Sequence, residues 1–444
     1  MSESLLSVGL DVGTTSTQLV VSRLTVENRA SSFAVPDMDI TERRVLYKSP
    51  VYFTPLLAES HVDGGAIREI VQEEYKKAGI RREDVDTGAI IITGETSRKE
   101  NARAVLDALS DYAGDFVVAI AGPDLESVLA AKGAGAVELS HTTGKSVLHM
   151  DIGGGTSNLA LIEDGKIIRT GCLNVGGRLL KFRENGEVYY VSPVLSGISD
   201  AKPGNIVTQS MLQGLAETLT HALEMAAGLR EPTDLMDRLL TEETGHRWMP
   251  PSGEVVLSFS GGVADCIDQE LPWNQFGDLG PILGQTIRKS SLCRGQYALG
   301  RETIRATVIG AGSYSTQLSG STVYSQNVRF PLKNLPVVEK NSGIQDGPVV
   351  LTVPGISSPT YSQVREIAGE LAKNKPPELY ICLEADMAKA LGQALAARLP
   401  PDTRILCIDR VRVGEDSYLD IGEPVGGAFP VVVKTLVLER RQHE

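Results

Sequence analysis

Two aspartates in this 444-residue chain head matching turns. Asp11-Val-Gly-Thr-Thr-Ser-Thr-Gln-Leu-Val-Val21 and Asp151-Ile-Gly-Gly-Gly-Thr-Ser-Asn-Leu-Ala-Leu161 align without a gap. An apolar run enters each turn, Leu5–Leu10 in the first and Val147–Met150 in the second, and another leaves it. Gly13, and Gly153, Gly154 and Gly155, let the backbone approach an anion closely. Thr14, Thr15, Ser16, Thr156 and Ser157 offer hydroxyl donors, while Asp11 and Asp151 are suited to holding magnesium through water. A single Asp-x-Gly turn is common in proteins that bind nothing there. Two in register, each at a strand end, point to one Mg-nucleotide held between two related lobes.

Two further glycine pairs close strands downstream, in Gly171-Cys-Leu-Asn-Val-Gly176-Gly177 and in Ser260-Gly261-Gly262-Val-Ala-Asp265. Other motifs fall short. Thr143-Gly144-Lys145-Ser146 copies the end of a P-loop, but Leu139 stands where the first glycine is required and a strand follows instead of a helix. Glu59-Ser-His61-Val-Asp-Gly64 comes close to a cobalamin-binding D-x-H-x-x-G loop. It begins with Glu and runs into an amphipathic helix, so Asp63 is expected to cap that helix. No Ser/His/Asp set is evident, and the six histidines lack metal-ligand spacing.

The elements that must position these turns follow from periodicity. Leu5–Leu10, Thr17–Val26 and Val45–Phe53 read as three consecutive strands, and Ile67, Ile70, Val71 and Tyr75 as a helix stopped at Gly79. A buried strand over Gly88–Thr93, a helix over 97–112, a strand over Phe116–Ile120 and a helix over Asp124–Gly133 complete the unit. The order then restarts with strands at Val147–Asp151, Thr156–Glu163 and Lys166–Leu173. Helices at Gln209–Gly228 and Asp234–Thr241, a strand at Glu254–Phe259 and a helix at Phe276–Lys289 follow. A duplicated α/β lobe explains this economically. After about Gly320 prolines break the chain into shorter pieces. Strands are expected there at Val349–Val353, Leu379–Leu383, Arg404–Ile408 and Phe429–Leu438, with helices at Ser362–Lys373 and Asp386–Leu399. The expected division is a first lobe over 1–140, completed by about 304–320, a second over 141–303 and a small C-terminal α/β domain over 321–444.

Composition narrows the partners. The formal net charge of −13 argues against nucleic acid or an anionic membrane as the main partner. Five scattered cysteines form no C-x-x-C pair and read as buried reduced thiols of a cytoplasmic protein. The first strand begins by Leu5, which leaves no room for a signal peptide, and no apolar run reaches membrane-spanning length.

In order, the four stations resemble the actin, Hsp70 and sugar-kinase superfamily of ATPases. That resemblance implies duplicated ribonuclease H-like lobes, two phosphate loops, a glycine pair at Gly176 and Gly177, and an adenosine loop at Gly261 and Gly262. Asp124-Leu-Glu126-Ser-Val-Leu-Ala-Ala-Lys-Gly133 resembles the first interdomain connecting helix and Ile304-Arg-Ala-Thr-Val-Ile-Gly310-Ala-Gly312 the second. An acidic residue at the start of the first connector orients the attacking water in the chaperone ATPases. Asp124 falls there with Glu126 next, and Glu95 in Thr93-Gly-Glu-Thr is another candidate. The chain has no match for the catalytic lysine of those chaperones.

Nearly end to end, the chain also resembles the ethanolamine ammonia-lyase reactivating factor family, EutA. The resemblance is carried by Leu5–Thr17, Ile92–Ala102, Ala121–Ser127, Phe259–Cys266 and Tyr418–Pro424. It implies ATP and Mg2+ as ligands, ethanolamine ammonia-lyase as partner, and adenosylcobalamin as a cofactor of that partner, with this protein promoting exchange of damaged cobalamin. Association with the microcompartment that houses ethanolamine breakdown is implied in the same way. Rival readings are a small-molecule kinase, an actin-like assembly ATPase and a non-catalytic ATP-binding scaffold; a homo-oligomer stays open.

Overall fold

In the computed structural model the described residues are 3–13, 16–30, 38–58, 61–93, 105, 109, 117–120, 123–241, 248–314, 316–320, 322–339, 348–353, 356, 359–411, 413, 417–425 and 427–435. The chain opens with an antiparallel meander, β1 (Glu3–Val12), β2 (Ser16–Asn28) and β3 (Met38–Lys48). Next come β4 (Tyr52–Phe53), the small β5 and β6 pair (Leu56–Ala58, His61–Val62), α1 (Gly64–Ala78), β7 (Thr87–Ile92) and β8 (Val117–Ile120). The sheet order is β3-β2-β1-β7-β8, with β7 parallel to both β1 and β8. All six residues of β7 are buried, as befits a largely apolar central parallel strand. Asp63 caps α1 by accepting from the Ala66 N–H at 3.0 Å, and Gly79 ends the helix in a left-handed conformation.

Helices α2 (Pro123–Gly133) and α3 (Ala136–Thr143) lead to the second lobe. Its strands β9 (Val147–Ile152), β10 (Ser157–Glu163) and β11 (Lys166–Leu173) form a second meander. After it come the β12–β13 pair (Leu180–Phe182, Val188–Val191), α4 (Gln209–Ala226), α5 (Asp234–Leu239), β14 (Val256–Ser260), α6 (Gly280–Lys289) and β15 (Tyr297–Leu299). The order β11-β10-β9-β14-β15 repeats that of the first lobe strand for strand. Helix α4 turns Leu212, Leu215, Leu219 and Leu223 into the largest apolar core of the protein.

Helix α7 (Ala306–Tyr314) returns to the first lobe and runs into a third sheet. That sheet contains β16 (Thr316–Leu318), β17 (Tyr324–Gln326), β18 (Leu332–Glu339), β19 (Val350–Val353), β20 (Glu378–Leu383), β21 (Arg404–Asp409), β22 (Ser417–Ile421) and β23 (Pro430–Thr435). Strands β18 to β21 are parallel, with α8 (Tyr361–Leu371) and α9 (Ala388–Ala396) in their connections. Val432 of β23 lies in one buried cluster with Ala89 and Ile91 of β7, Leu129 of α2 and Ala311 of α7.

The structure adjusts several expected boundaries. The third strand is Met38–Lys48 rather than Val45–Phe53, because Pro50 has no N–H for the ladder and the chain rejoins β2 only at Tyr52. Helix α6 begins at Gly280 rather than Phe276, where the Asp278 carboxylate accepts the Gly280 N–H at 2.9 Å. Strand β18 persists through Pro336 with a register shift between Leu332 and Leu335. Of the helix expected over 97–112, only Val105 and Leu109 are described.

Candidate functional site

One hydrogen bond is made twice. The Gly13 N–H donates to the Ser16 carbonyl at 2.9 Å, and the Gly153 N–H donates to the Thr156 carbonyl at 2.9 Å. Register agrees as well: Asp11 sits opposite Gln18, and Asp151 opposite Asn158. The two turns therefore share a closing hydrogen bond, a leading carboxylate and a facing amide. Thr14 and Thr15 lie outside the described residues.

The turns face each other across a cleft of about 570 Å3, a size that accommodates a nucleotide. Asp11, Gly13, Ser16, Asp151, Gly153, Gly154, Gly155 and Thr156 all line it. Both carboxylates are buried. Asp11 accepts from the Thr93 hydroxyl at 2.8 Å; Asp151 accepts from Ser260 and, at 3.4 Å, from Thr307. Burial pushes Asp11 up to about 7, against the Thr93 bond, and the facing charge of Asp151 adds to the rise. Burial likewise pushes Asp151 up to about 6, with the Ser260 and Thr307 bonds opposing it. Neither carboxylate has a basic side chain against it among the described residues.

Two buried carboxylates without a cation suit a divalent metal. Among the described residues no cluster of three or more His, Cys, Asp or Glu could enclose an ion, so a magnesium ion held by Asp11 and Asp151 would take most of its shell from water and a ligand. The cleft is otherwise acidic, with Glu126, Asp265 and Asp278 on its wall and Arg178 as the one cation among its described lining residues. A polyphosphate would be repelled here unless a cation accompanied it.

The remaining stations occupy distinct places. Gly177, Gly261 and Gly262 line the cleft, whereas Gly176 sits behind it, where a Cβ would come within 2.4 Å of the Gly154 carbonyl oxygen. Gly261 has φ +86°, and a Cβ there would meet the Ile152 carbonyl oxygen at 2.3 Å. The two acids of α2 part company. Glu126 faces the cleft, while the Asp124 carboxylate accepts from Thr170 of β11 at 2.5 Å and does not line it. Glu95 lies outside the described residues.

Sequence reasoning missed Thr93, Ser260 and Thr307 as partners of the aspartates. Ser260 heads a glycine station and Thr93 ends a strand, so position carried a signal for both; Thr307 reaches Asp151 only because α7 crosses the lobes. That crossing is close. A Cβ on Gly133 would lie 1.9 Å from the Ala306 carbonyl oxygen, and one on Gly310 would lie 2.0 Å from that of Leu129.

Two lobes of identical strand order, joined by crossing helices around a cleft with paired aspartates, define the actin, Hsp70 and sugar-kinase class of ATPase architecture. A family model described as ethanolamine utilisation protein EutA matches residues 3–347 and 341–439. The chain belongs to the EutA family. It is 37% identical over 472 residues to the ethanolamine ammonia-lyase reactivase EutA of Salmonella typhimurium, covering 97% of this chain and 98% of that one. It is 37% identical over 461 residues to the Escherichia coli protein of the same name, with the same coverage. Among solved structures, a Ppx/GppA family member from Aquifex aeolicus is similar at 13% identity and a TM-score of 0.43, over 69% of this chain and 97% of that one. All five cysteines are buried and none forms a disulfide, and among the described residues no helix is long and apolar enough to cross a membrane.

Proposed function

We propose that this protein is an ATP-dependent reactivase of ethanolamine ammonia-lyase. One observation carries the nucleotide half of the reading: Asp11 and Asp151, on turns closed by the same bond, face one cleft as buried carboxylates without a cation. The partner half rests on the names of the relatives, which match this chain over nearly its whole length.

In this reading the glycine turns bind the phosphates through backbone N–H groups, and Asp11 and Asp151 hold Mg2+ through water. Magnesium, when bound, neutralises charge on the β- and γ-phosphates. Gly261 and Gly262 form the adenosine side of the cleft, while Gly177 stands beside the second turn, its N–H donating to the Gly153 carbonyl at 3.0 Å. Glu126 is the acid placed to orient the water that attacks the γ-phosphorus, breaking the bond to the β-phosphate oxygen and releasing inorganic phosphate and ADP. Closure on ATP and reopening after hydrolysis, about the crossing of α2 and α7, would bias a lyase-binding surface between two forms. A tenfold bias needs about 1.4 kcal/mol of differential contact between the states. The lyase opens, damaged cobalamin leaves and adenosylcobalamin enters; the corrinoid need not touch this chain. Work within the ethanolamine microcompartment belongs to the same proposal.

The test is recovery of ethanolamine deamination by lyase blocked with cyanocobalamin and supplied with adenosylcobalamin, Mg-ATP and this protein, beside its Asp11→Asn variant. Recovery that requires both ATP and Asp11 supports the reading. ATP consumption with no recovery returns the kinase and assembly readings to the front.

A further inference from the structure

Arg178 joins the two phosphate turns. Its backbone N–H donates to the Gly154 carbonyl at 2.6 Å, which fixes its Cα beside the second turn. Its guanidinium lies 5.6 Å from the centre of the Phe53 ring. Phe53 belongs to the other lobe and pairs in register with Ser16, the closing residue of the first turn. The side chain therefore starts at one turn and ends at a ring on the strand paired beside the other.

The placement leaves the guanidinium able to accept a ligand. Asp278 takes the Nε edge at 3.2 Å and the Phe53 ring lies 5.6 Å away, while the terminal Nη donors carry no hydrogen bond among the described residues. Arg178 is half-buried in the cleft wall, and it is the one cation among the described lining residues. A planar cation set over a ring and held at one edge has lost part of its rotamer freedom, so less further ordering is needed to bind an anion. Phe53 is 79% exposed, which gives this large ring little role in a core and leaves the cation as its partner.

We propose that Arg178 is the phosphate-binding cation of this cleft, held between the two glycine turns by Phe53 so that a polyphosphate seated on both turns meets its Nη donors. This deepens the nucleotide reading and rests on it. It also supplies a positive group in a chain whose sequence offers no counterpart of the chaperone lysine. Because Phe53 and Arg178 belong to different lobes, the same contact favours the closed arrangement of the cleft.

The experiment measures equilibrium binding of Mg-ATP, Mg-ADP and adenosine to the full-length protein, its Arg178→Ala and Arg178→Lys variants and Phe53→Leu. Loss of a charged hydrogen-bonding partner should weaken Mg-ATP binding about thirtyfold in Arg178→Ala, with adenosine unchanged within about twofold. Arg178→Lys should recover part of the loss, and Phe53→Leu should weaken Mg-ATP severalfold while retaining the charge. Matching unfolding midpoints would show that the variants fold. Wild-type binding of Mg-ATP with Arg178→Ala binding it equally well would overturn the role of Arg178 and leave the nucleotide reading standing. Equal weakening of adenosine and ATP would also overturn it, since the residue would then shape the cleft and not recognise phosphate. If wild type bound no nucleotide at all, the function proposed above would fail first.

Discussion

The Nε2 of His149 lies 2.9 Å from the hydroxyl oxygen of Ser260, and Ser260 spends its one proton on the Asp151 carboxylate. Ser260 must therefore accept from His149, which fixes the imidazole as the Nε2–H tautomer. Its Nδ1 is then the acceptor, 3.0 Å from the Ser258 hydroxyl. A buried relay thus runs along β14 and β9 to one of the two aspartates of the cleft. His149 is fully buried, and burial pushes its pKa down to about 3.

That depression gives a pH signature. Between about pH 3 and the ordinary histidine value of 6.5, an unfolded chain binds a proton at His149 that the native protein does not. The stability contributed by keeping it neutral is thus lost as pH falls through this window, at about 1.4 kcal/mol per unit. His149→Phe should be less stable at pH 7.5 by about 1–3 kcal/mol, because Ser260 and Ser258 lose partners. It should also lose less on going to pH 5.5 than wild type does. Urea unfolding at the two pH values measures both, and an unchanged acid slope would show that His149 is not held neutral.

Asp11 works in the opposite sense. Its pKa is raised to about 7, so from 3.8 to 7 the native state binds the extra proton, and stability falls as pH rises through that range. Without magnesium, Asp11→Asn should be more stable than wild type at pH 8 by more than about 1 kcal/mol, a gap that closes toward pH 5. Magnesium should narrow the gap by stabilising the wild type more than the variant, which keeps only Asp151. The same protons compete with the metal. With values of about 7 and 6 for the two carboxylates, Mg-ATP affinity should drop about twentyfold between pH 8 and pH 6. A pH-independent affinity would remove both aspartates from the metal site.

Local sequence carried the two meanders, the paired turns and the connecting helices, because Asp-x-Gly turns and apolar runs are short-range features. Gly133 and Gly310 were visible as small residues, and the structure shows why nothing larger fits: an added Cβ would lie 1.9 Å from the Ala306 carbonyl oxygen and 2.0 Å from that of Leu129. What escaped was set by tertiary contact. Thr307 has no motif around it, and the pairing of Arg178 with Phe53 spans 125 positions and two lobes. Strand β18 escaped because Pro336 reads as a breaker, yet Pro336 pairs in register with Tyr418, just past the shift between Leu332 and Leu335.

The helix crossing gives a separate prediction. Gly310→Ala places a methyl group where the Leu129 carbonyl already sits, so α2 and α7 must move apart. Overpacking of this kind costs about 1–3 kcal/mol. Since both helices join the lobes, the variant should also lose ATP-dependent protection of the cleft in hydrogen exchange. Gly369→Ala, on the exposed side of α8 with nothing within 4 Å of the added carbon, is the control and should be neutral or slightly stabilising. Equal behaviour of the two variants would mean that the crossing is loose in solution.

Val432 tests whether the third sheet is an appendage. Its side chain is buried against Ala89 and Ile91 of the first lobe and against Leu129 and Ala311 of the two connecting helices. The Thr87 and Thr316 hydroxyls, 2.8 Å apart, tie the same region together. If the lobes move about α2 and α7 as proposed, this cluster is the contact that would carry the motion to β23 and the C-terminal sheet. Val432→Asp buries an unpaired carboxylate at this junction and should cost several kcal/mol. If the sheet and the first lobe are one cooperative unit, near-ultraviolet circular dichroism and nucleotide binding should be lost in a single transition at lower denaturant. Two resolved transitions, with nucleotide binding as tight as in wild type, would show the sheet to be independent. Truncation after Gly320 should then leave a soluble ATP-binding fragment, whereas loss of soluble protein on truncation would make the sheet part of the core of the first lobe.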